Sequence, residues 1–183
     1  MAIAGVAHAI KPRTPKGAFL NQPFTDFSDP ENARAIRHAL DQVSMHLGSE
    51  YPLIIGGKRL KTAERIRSIN PARPAQVVGV HQKAGAAQVD AAMNAALHAF
   101  DSWSKTPVED RVSLLLGAAD IIRTRKFEFM AWLVYEVGKN WAEADADVVE
   151  TIDFLEFYAR EALRLAAAAL PIQYPGERNE LLY

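Results

Sequence analysis

The sequence predicts an α/β chain, mostly helical, with a β-hairpin towards its front. Three observations carry this. From Ala86 onward apolar residues recur at about 3.6-residue intervals. Before that, Gly56-Gly57 divides two short β-prone runs. The first stretch, with Pro12, Pro15, Pro23, Gly5 and Gly17, follows neither pattern. At 183 residues the chain is long enough for one ordinary domain core.

Taken in order, residues 1–27 are expected to form an extended arm ordered by docking on the rest. Ser28-Asp29-Pro30-Glu31 has capping-box spacing with Pro in the first turn, and Ala33, Ile36, Leu40, Val43 and Leu47 then recur at helical intervals before Gly48. Pro52 to Ile55 and Lys58 to Lys61 flank the two glycines, whose freedom at positive φ suits a type I′ turn. Arg65 to Ile69 is expected to extend the second strand, Asn70 to Pro74 to turn, and Gln76 to His81 to form another strand.

Val89, Met93, Ala96, Phe100 and Trp103 make one helical stripe. Thr106-Pro107-Val108-Glu109 predicts a capping box that opens a helix through Leu114, Leu115, Ala118, Ile121 and Ile122. The cations Arg123, Arg125 and Lys126 suit the C-terminus of that helix or its connection to another. A further helix covers about 127–137. Gly138 stops it, Asn140 caps the next, and a long helix runs from about Trp141 to about Ala168. Residues 171–183 carry Pro171, Pro175 and Gly176 around short extended pieces, and the apolar end Leu181-Leu182-Tyr183 reads as a strand inside a larger fold.

Composition narrows the partners. With 21 Lys+Arg against 22 Asp+Glu the chain has no electrostatic footprint for nucleic acid or an anionic membrane. No apolar run approaches the roughly 20 residues of a membrane span, and MAIAGVAHAI lacks the basic region of a signal peptide, so a cytoplasmic location is expected. The chain has no Cys, which excludes disulfides, thiolate metal sites and a cysteine nucleophile within these residues.

Chemistry-bearing motifs are few. There is no G-x-G-x-x-G, phosphate loop, G-x-S-x-G elbow or H-E-x-x-H, and the five His never fall at helical ligand spacing. Glu143, Asp145, Asp147, Glu150, Asp153 and Glu156 lie on the long helix. A carboxylate di-metal bundle would need Glu-x-x-His pairs, which are missing. Glu143 and Asp145 are expected on a solvated face near a helix N-terminus, where negative charge is favourable. Glu150 differs: it precedes Phe154 by four residues and so shares its side of the helix. Its carboxylate must reach solvent or meet a cation, because burial unpaired is costly. Trp103 and Trp132 are expected in the core, with Trp141 packed at a helix junction.

Several strings occur together and in order: Tyr51 to Lys58 (YPLIIGGK), Ser68-Ile-Asn-Pro71, Val78-Gly79, Ala99 to Trp103, Glu109-Asp-Arg111, Glu136 to Trp141 (EVGKNW) and Glu150 to Phe154 (ETIDF). With them the chain resembles the aldehyde dehydrogenase superfamily from about Asn21 onward. EVGKNW, ETIDF, QYPGERNE and the helical leader from Phe24 to Leu47 resemble its 1-pyrroline-5-carboxylate dehydrogenase branch.

The resemblance implies an aldehyde dehydrogenase-like fold, N-terminal part only: helices plus a β-hairpin, lacking the Rossmann sheet core and catalytic domain. Residues 28–170 would be the front of the NAD-binding domain and 171–183 the start of an oligomerisation flap. It implies a full-length enzyme that oxidises L-glutamate γ-semialdehyde to glutamate with NAD, as a homo-oligomer, in proline catabolism. The nucleophilic Cys, Glu base and oxyanion-hole Asn of such enzymes lie downstream of the matched region, so no catalytic residue and no cofactor site is expected here, and the chain alone is expected to be inactive. The resemblance places Glu150 in the aldehyde channel facing the substrate ammonium, with Phe154 as a channel wall. The rival reading is a non-enzymatic helical interaction module built on the same front end.

Overall fold

The structure is a computed structural model, described for residues 13–167 and 171–180. Five helices and five short strands follow one another: α1 (Pro30–Ser44), β1 (Ser49–Tyr51), β2 (Leu53–Ile55), β3 (Lys58–Leu60), β4 (Arg65–Asn70), β5 (Arg73–Gln82), α2 (Ala86–Trp103), α3 (Val108–Thr124), α4 (Lys126–Val137) and α5 (Trp141–Ala166). These counts refer to the described residues. Leu181-Leu182-Tyr183, Ala168 and the arm up to Pro12 lie outside them, and residues 171–180 form a turn with no strand.

The helix ends follow local chemistry, with two corrections. Asp29, rather than Ser28, caps α1: its carboxylate accepts from the Glu31 N–H while Ser28 bonds to Asp26. The expected box at Thr106 does not form. Helix α3 opens after Pro107 without a side-chain cap, and the Thr106 hydroxyl donates back to the Ser102 carbonyl, extending the preceding turn. Asn140 and Glu143 do form a reciprocal capping box at the start of α5.

The hairpin β2–β3 pairs Ile55 with Lys58 across Gly56 and Gly57, both at positive φ (55° and 76°), as a type I′ turn requires. Arg65–Asn70 does not extend that hairpin. It pairs antiparallel with β5, with register shifts after Ser68, and a strand unforeseen in the sequence, β1, pairs parallel with β5 on the other edge. Three residues between Gly48 and Pro52 are too few to show a period, so only the tertiary pairing reveals β1.

One cluster holds Ile36 of α1, Ala119 of α3, Met130 of α4 and Ala144, Val148 and Ile152 of α5. A second joins Val112 and Leu116 of α3 to Ala159 of α5. Helix α3 buries Val112, Leu116 and Ala119 most fully; of the expected stripe, Leu115 and Ile122 pack partly buried against the two clusters and Ile121 is exposed. Its middle is apolar on almost every side, so periodicity alone cannot choose a face. Helix α2 buries none of its residues; Val89, Met93, Leu97 and Phe100 are all more than half exposed, and Trp103 is 41% exposed rather than core.

Of the two acidic residues expected on a solvated face at the start of α5, Glu143 is exposed and Asp145 is not. Asp145 is 1% exposed and accepts from the backbone N–H of Thr25 (2.7 Å), the Thr25 hydroxyl (2.7 Å) and Lys126 Nζ (2.7 Å). About two turns on, Asp153 accepts from Asn21 and from the Gln22 N–H, both at 2.8 Å. Glu156 pairs with Arg123, which also holds Gln22 and Asp120. The basic cluster sits at the end of α3 and its connection to α4, and from there Arg123 and Lys126 pair with α5 and donate hydrogen bonds to the arm, while Arg125 pairs with Glu128 of α4. Arg13 closes the far end of the arm through Asp120 and Ser113.

Asp145→Ala leaves Lys126 largely buried without its counter-ion, and should destabilise the fold by about 3–5 kcal/mol. The half-exposed partner pair Arg13–Asp120 should contribute no more than about 1 kcal/mol when broken at Arg13. Urea unfolding of the two variants checks this; similar losses for both would remove Asp145 from its central place.

Candidate functional site

Helices α4 and α5 are joined by Gly138-Lys139-Asn140, and their facing sides open into a groove of about 490 Å³. Its apolar floor comes from Ile122 of α3 and Phe129, Trp132 and Leu133 of α4. Trp132 is therefore a groove wall, partly exposed, where the sequence had suggested core. The polar rim comes from Glu136 at the end of α4 and from Asp147, Glu150 and Thr151 on α5, which fall on one side because residues three and four apart share a helix face.

The three carboxylates are not equivalent. Glu136 accepts from the Ser68 hydroxyl of β4 at 3.0 Å. Asp147 is paired with Lys139. The Glu150 side chain is exposed on the groove and has no hydrogen-bond or ion-pair partner among the described residues. An aromatic and apolar floor with one available carboxylate suits a ligand that carries an ammonium group on a short aliphatic body. Phe154 does not line the groove. It lies one turn further along α5, 50% exposed and stacked on Tyr158 with ring centroids 5.8 Å apart.

The sheet fixes this junction. Gly138 adopts φ 75°, a left-handed conformation that ends α4, and a Cβ there would lie 2.9 Å from Pro71 Cγ in the β4–β5 turn. For function, Ser68 and Pro71 enter the sequence reading only as the ends of one family string, because their role at the junction arises only where the sheet meets the helix pair. Elsewhere, Glu50 is held below the usual glutamate range first by the Gln82 amide and then by Arg65, which ties β1 to β4 and β5 away from the groove.

None of the described helix N-termini is prepared for a dinucleotide pyrophosphate. Those of α1 and α5 are filled by Asp29 and Asn140, and that of α2 by the Gln88 side chain on the Gly85 N–H. Those of α3 and α4 carry Glu109, Asp110 and Glu128, whose charge opposes a phosphate. No group of three or more His, Asp or Glu among the described residues could hold a metal, and no described helix is long and apolar enough to cross a membrane.

The helices, the small sheet beneath the α4–α5 junction and the groove define the N-terminal part of an aldehyde dehydrogenase fold. Residues 59–183 match the aldehyde dehydrogenase family, and the chain belongs to it. It is 47% identical to 1-pyrroline-5-carboxylate dehydrogenase of Geobacillus thermodenitrificans over 90% of its length and 32% of the relative's, and 46% identical to that of Bacillus subtilis over the same shares. Among solved structures it is similar to the 1-pyrroline-5-carboxylate dehydrogenase from Thermus with bound NAD: TM-score 0.84, 51% identity, 88% of this chain and 31% of that one. The Mycobacterium tuberculosis enzyme bound with NAD and cobalamin matches with TM-score 0.80 and 29% identity, over 91% of this chain and 32% of that one. The chain spans about a third of the length of the curated relatives it matches.

Gly138→Ala combines a left-handed backbone with the Pro71 contact. It should cost at least about 1–2 kcal/mol, the penalty for a side chain in that conformation. Thermal unfolding checks the loss, and Gly176→Ala, also at positive φ but with open space around it, gives the backbone penalty without the clash.

Proposed function

We propose that the chain is the front part of an NAD-dependent L-glutamate γ-semialdehyde (1-pyrroline-5-carboxylate) dehydrogenase. The observation that carries the proposal is identity of 46–51% to such enzymes over about nine-tenths of the chain. Residues 28–170 then belong to the front of the NAD-binding domain, and residues 171–183 to the start of an oligomerisation flap in a homo-oligomer. The helical interaction module is the weaker reading, since this identity covers about nine-tenths of the chain.

In this reading Glu150 receives the substrate ammonium. It is the groove carboxylate left available, and a charge-assisted hydrogen bond would hold the amino-aldehyde while the apolar floor accepts its methylenes. Phe154 lies outside the groove and would wall the channel only beyond it, one turn on. None of the described helix N-termini suits the pyrophosphate of NAD, and this reading assigns cofactor binding to parts of the enzyme outside this third. Nor do these 183 residues contain a Cys to attack an aldehyde carbonyl.

Two measurements test the reading. The 183-residue chain alone should form no NADH from aldehyde and NAD, and turnover by contaminant-free material would overturn the assignment of chemistry elsewhere. In the protein expressed from its complete gene, Glu150→Ala should lower kcat/KM for glutamate semialdehyde by about 1.5–3 kcal/mol, the range for a hydrogen bond to a charged group. Simple aldehydes should lose much less; equal losses on both, with a lower melting temperature, would make Glu150 a structural carboxylate.

A further inference from the structure

Asp147 and Glu150 both border the groove, three residues apart on α5, yet only one of them is available to a ligand. Their separation along the helix axis is about 4.5 Å at 1.5 Å per residue. An ammonium group would find two adjacent anions there if nothing intervened. What intervenes is Lys139. It stands in the three-residue connection whose path is set by left-handed Gly138 against Pro71 and by the Asn140 cap, and its ammonium reaches forward to Asp147. The side chains of Lys139 and Asp147 are 29% and 39% exposed, so the pair is partly shielded from water.

We propose that Lys139 is a specificity-determining residue that neutralises Asp147, so that a cationic substrate meets a single uncompensated carboxylate on the α5 side of the groove and is held there in one register. The inference rests on the reading of Glu150 as the ammonium contact. A substrate bound through Asp147 would sit about 4.5 Å out of place along the helix, too far for its aldehyde to meet the reacting groups, because catalysis tolerates misplacement of only about an ångström. Freed Asp147 is thus a competing, nonproductive anchor. Such an anchor has a kinetic signature: it lowers KM and kcat by the same factor, leaves kcat/KM unchanged, and acts only on substrates that carry the cation.

The experiment compares Lys139→Met, Lys139→Arg, the double variant Lys139→Met/Asp147→Asn and Glu150→Gln in the enzyme expressed from its complete gene. Each is assayed with glutamate semialdehyde and with a neutral aldehyde of similar length, alongside its melting temperature. Lys139→Met should lower KM and kcat for glutamate semialdehyde together, by about two-fold if the two carboxylates compete equally, with the neutral aldehyde unaffected. Lys139→Arg should keep the parent values, and the double variant should return towards them because the competing charge is gone. Loss of kcat/KM on both aldehydes in Lys139→Met, or failure of the double variant to recover, would show a purely structural ion pair and overturn the proposal. If Glu150→Gln leaves the preference for the cationic aldehyde intact, the Glu150 reading fails and takes this inference with it. If Glu150→Gln abolishes that preference while Lys139→Met changes neither KM nor kcat, only the inference on Lys139 fails.

Discussion

Asp145 carries a formal charge to a position 1% exposed to solvent, and the arrangement of the helices depends on how that charge is met. A buried carboxylate is tolerated only when its lone pairs are satisfied and its charge is countered. Lys126, the first residue of α4, supplies the charge, and Thr25 supplies two donors while its hydroxyl also accepts from Lys126. Three separate pieces of chain, the arm, the start of α4 and the first turns of α5, therefore have to meet at one point. Hydrophobic packing between α4 and α5 would allow some sliding; the hydrogen-bond geometry around Asp145 does not.

From that anchor the rest follows along α5. Its buried side, Ala144, Val148 and Ile152, completes the core with α1, α3 and α4, and a second side carries Asp153 and Glu156 to the arm and Arg123. The remaining side, with Asp147, Glu150 and Thr151, is left to face the groove. The arm has no helix or strand in its described part, so backbone groups along it are met by Ser113 of α3 and by α5 side chains, among them Arg160, which donates to the carbonyls of Gly17 and Lys16. Order in the arm and orientation of α5 are two aspects of one network.

The groove is equally a product of the sheet. Pro71 and Ser68 lie on the strand and turn that support the α4–α5 connection, one packing on Gly138 and the other binding Glu136. Helix α2 stands apart from this economy of contacts. Its apolar stripe is regular, but no described residue covers it, and an exposed stripe of that kind is where a protein associates with something else.

The sequence by itself determined the helices and their termini where local chemistry suffices: the Gly138 stop, the Asn140–Glu143 box and the Gly56-Gly57 turn all depend on residues a few positions apart. It also pointed to Glu150 as a carboxylate with an unusual neighbourhood, and its strings in order pointed to the family. Only the tertiary structure decided which face of α3 is buried, that β4 pairs with β5, and that β1 exists. The same holds for Asp145, whose setting depends on Thr25, 120 residues away, and for Trp132, which packing left on a groove wall. Periodicity reports that a helix has an apolar side; it cannot say which charge on the other side will meet a distant partner. That choice is made by desolvation and hydrogen-bond geometry among segments far apart in the chain, which no local pattern encodes.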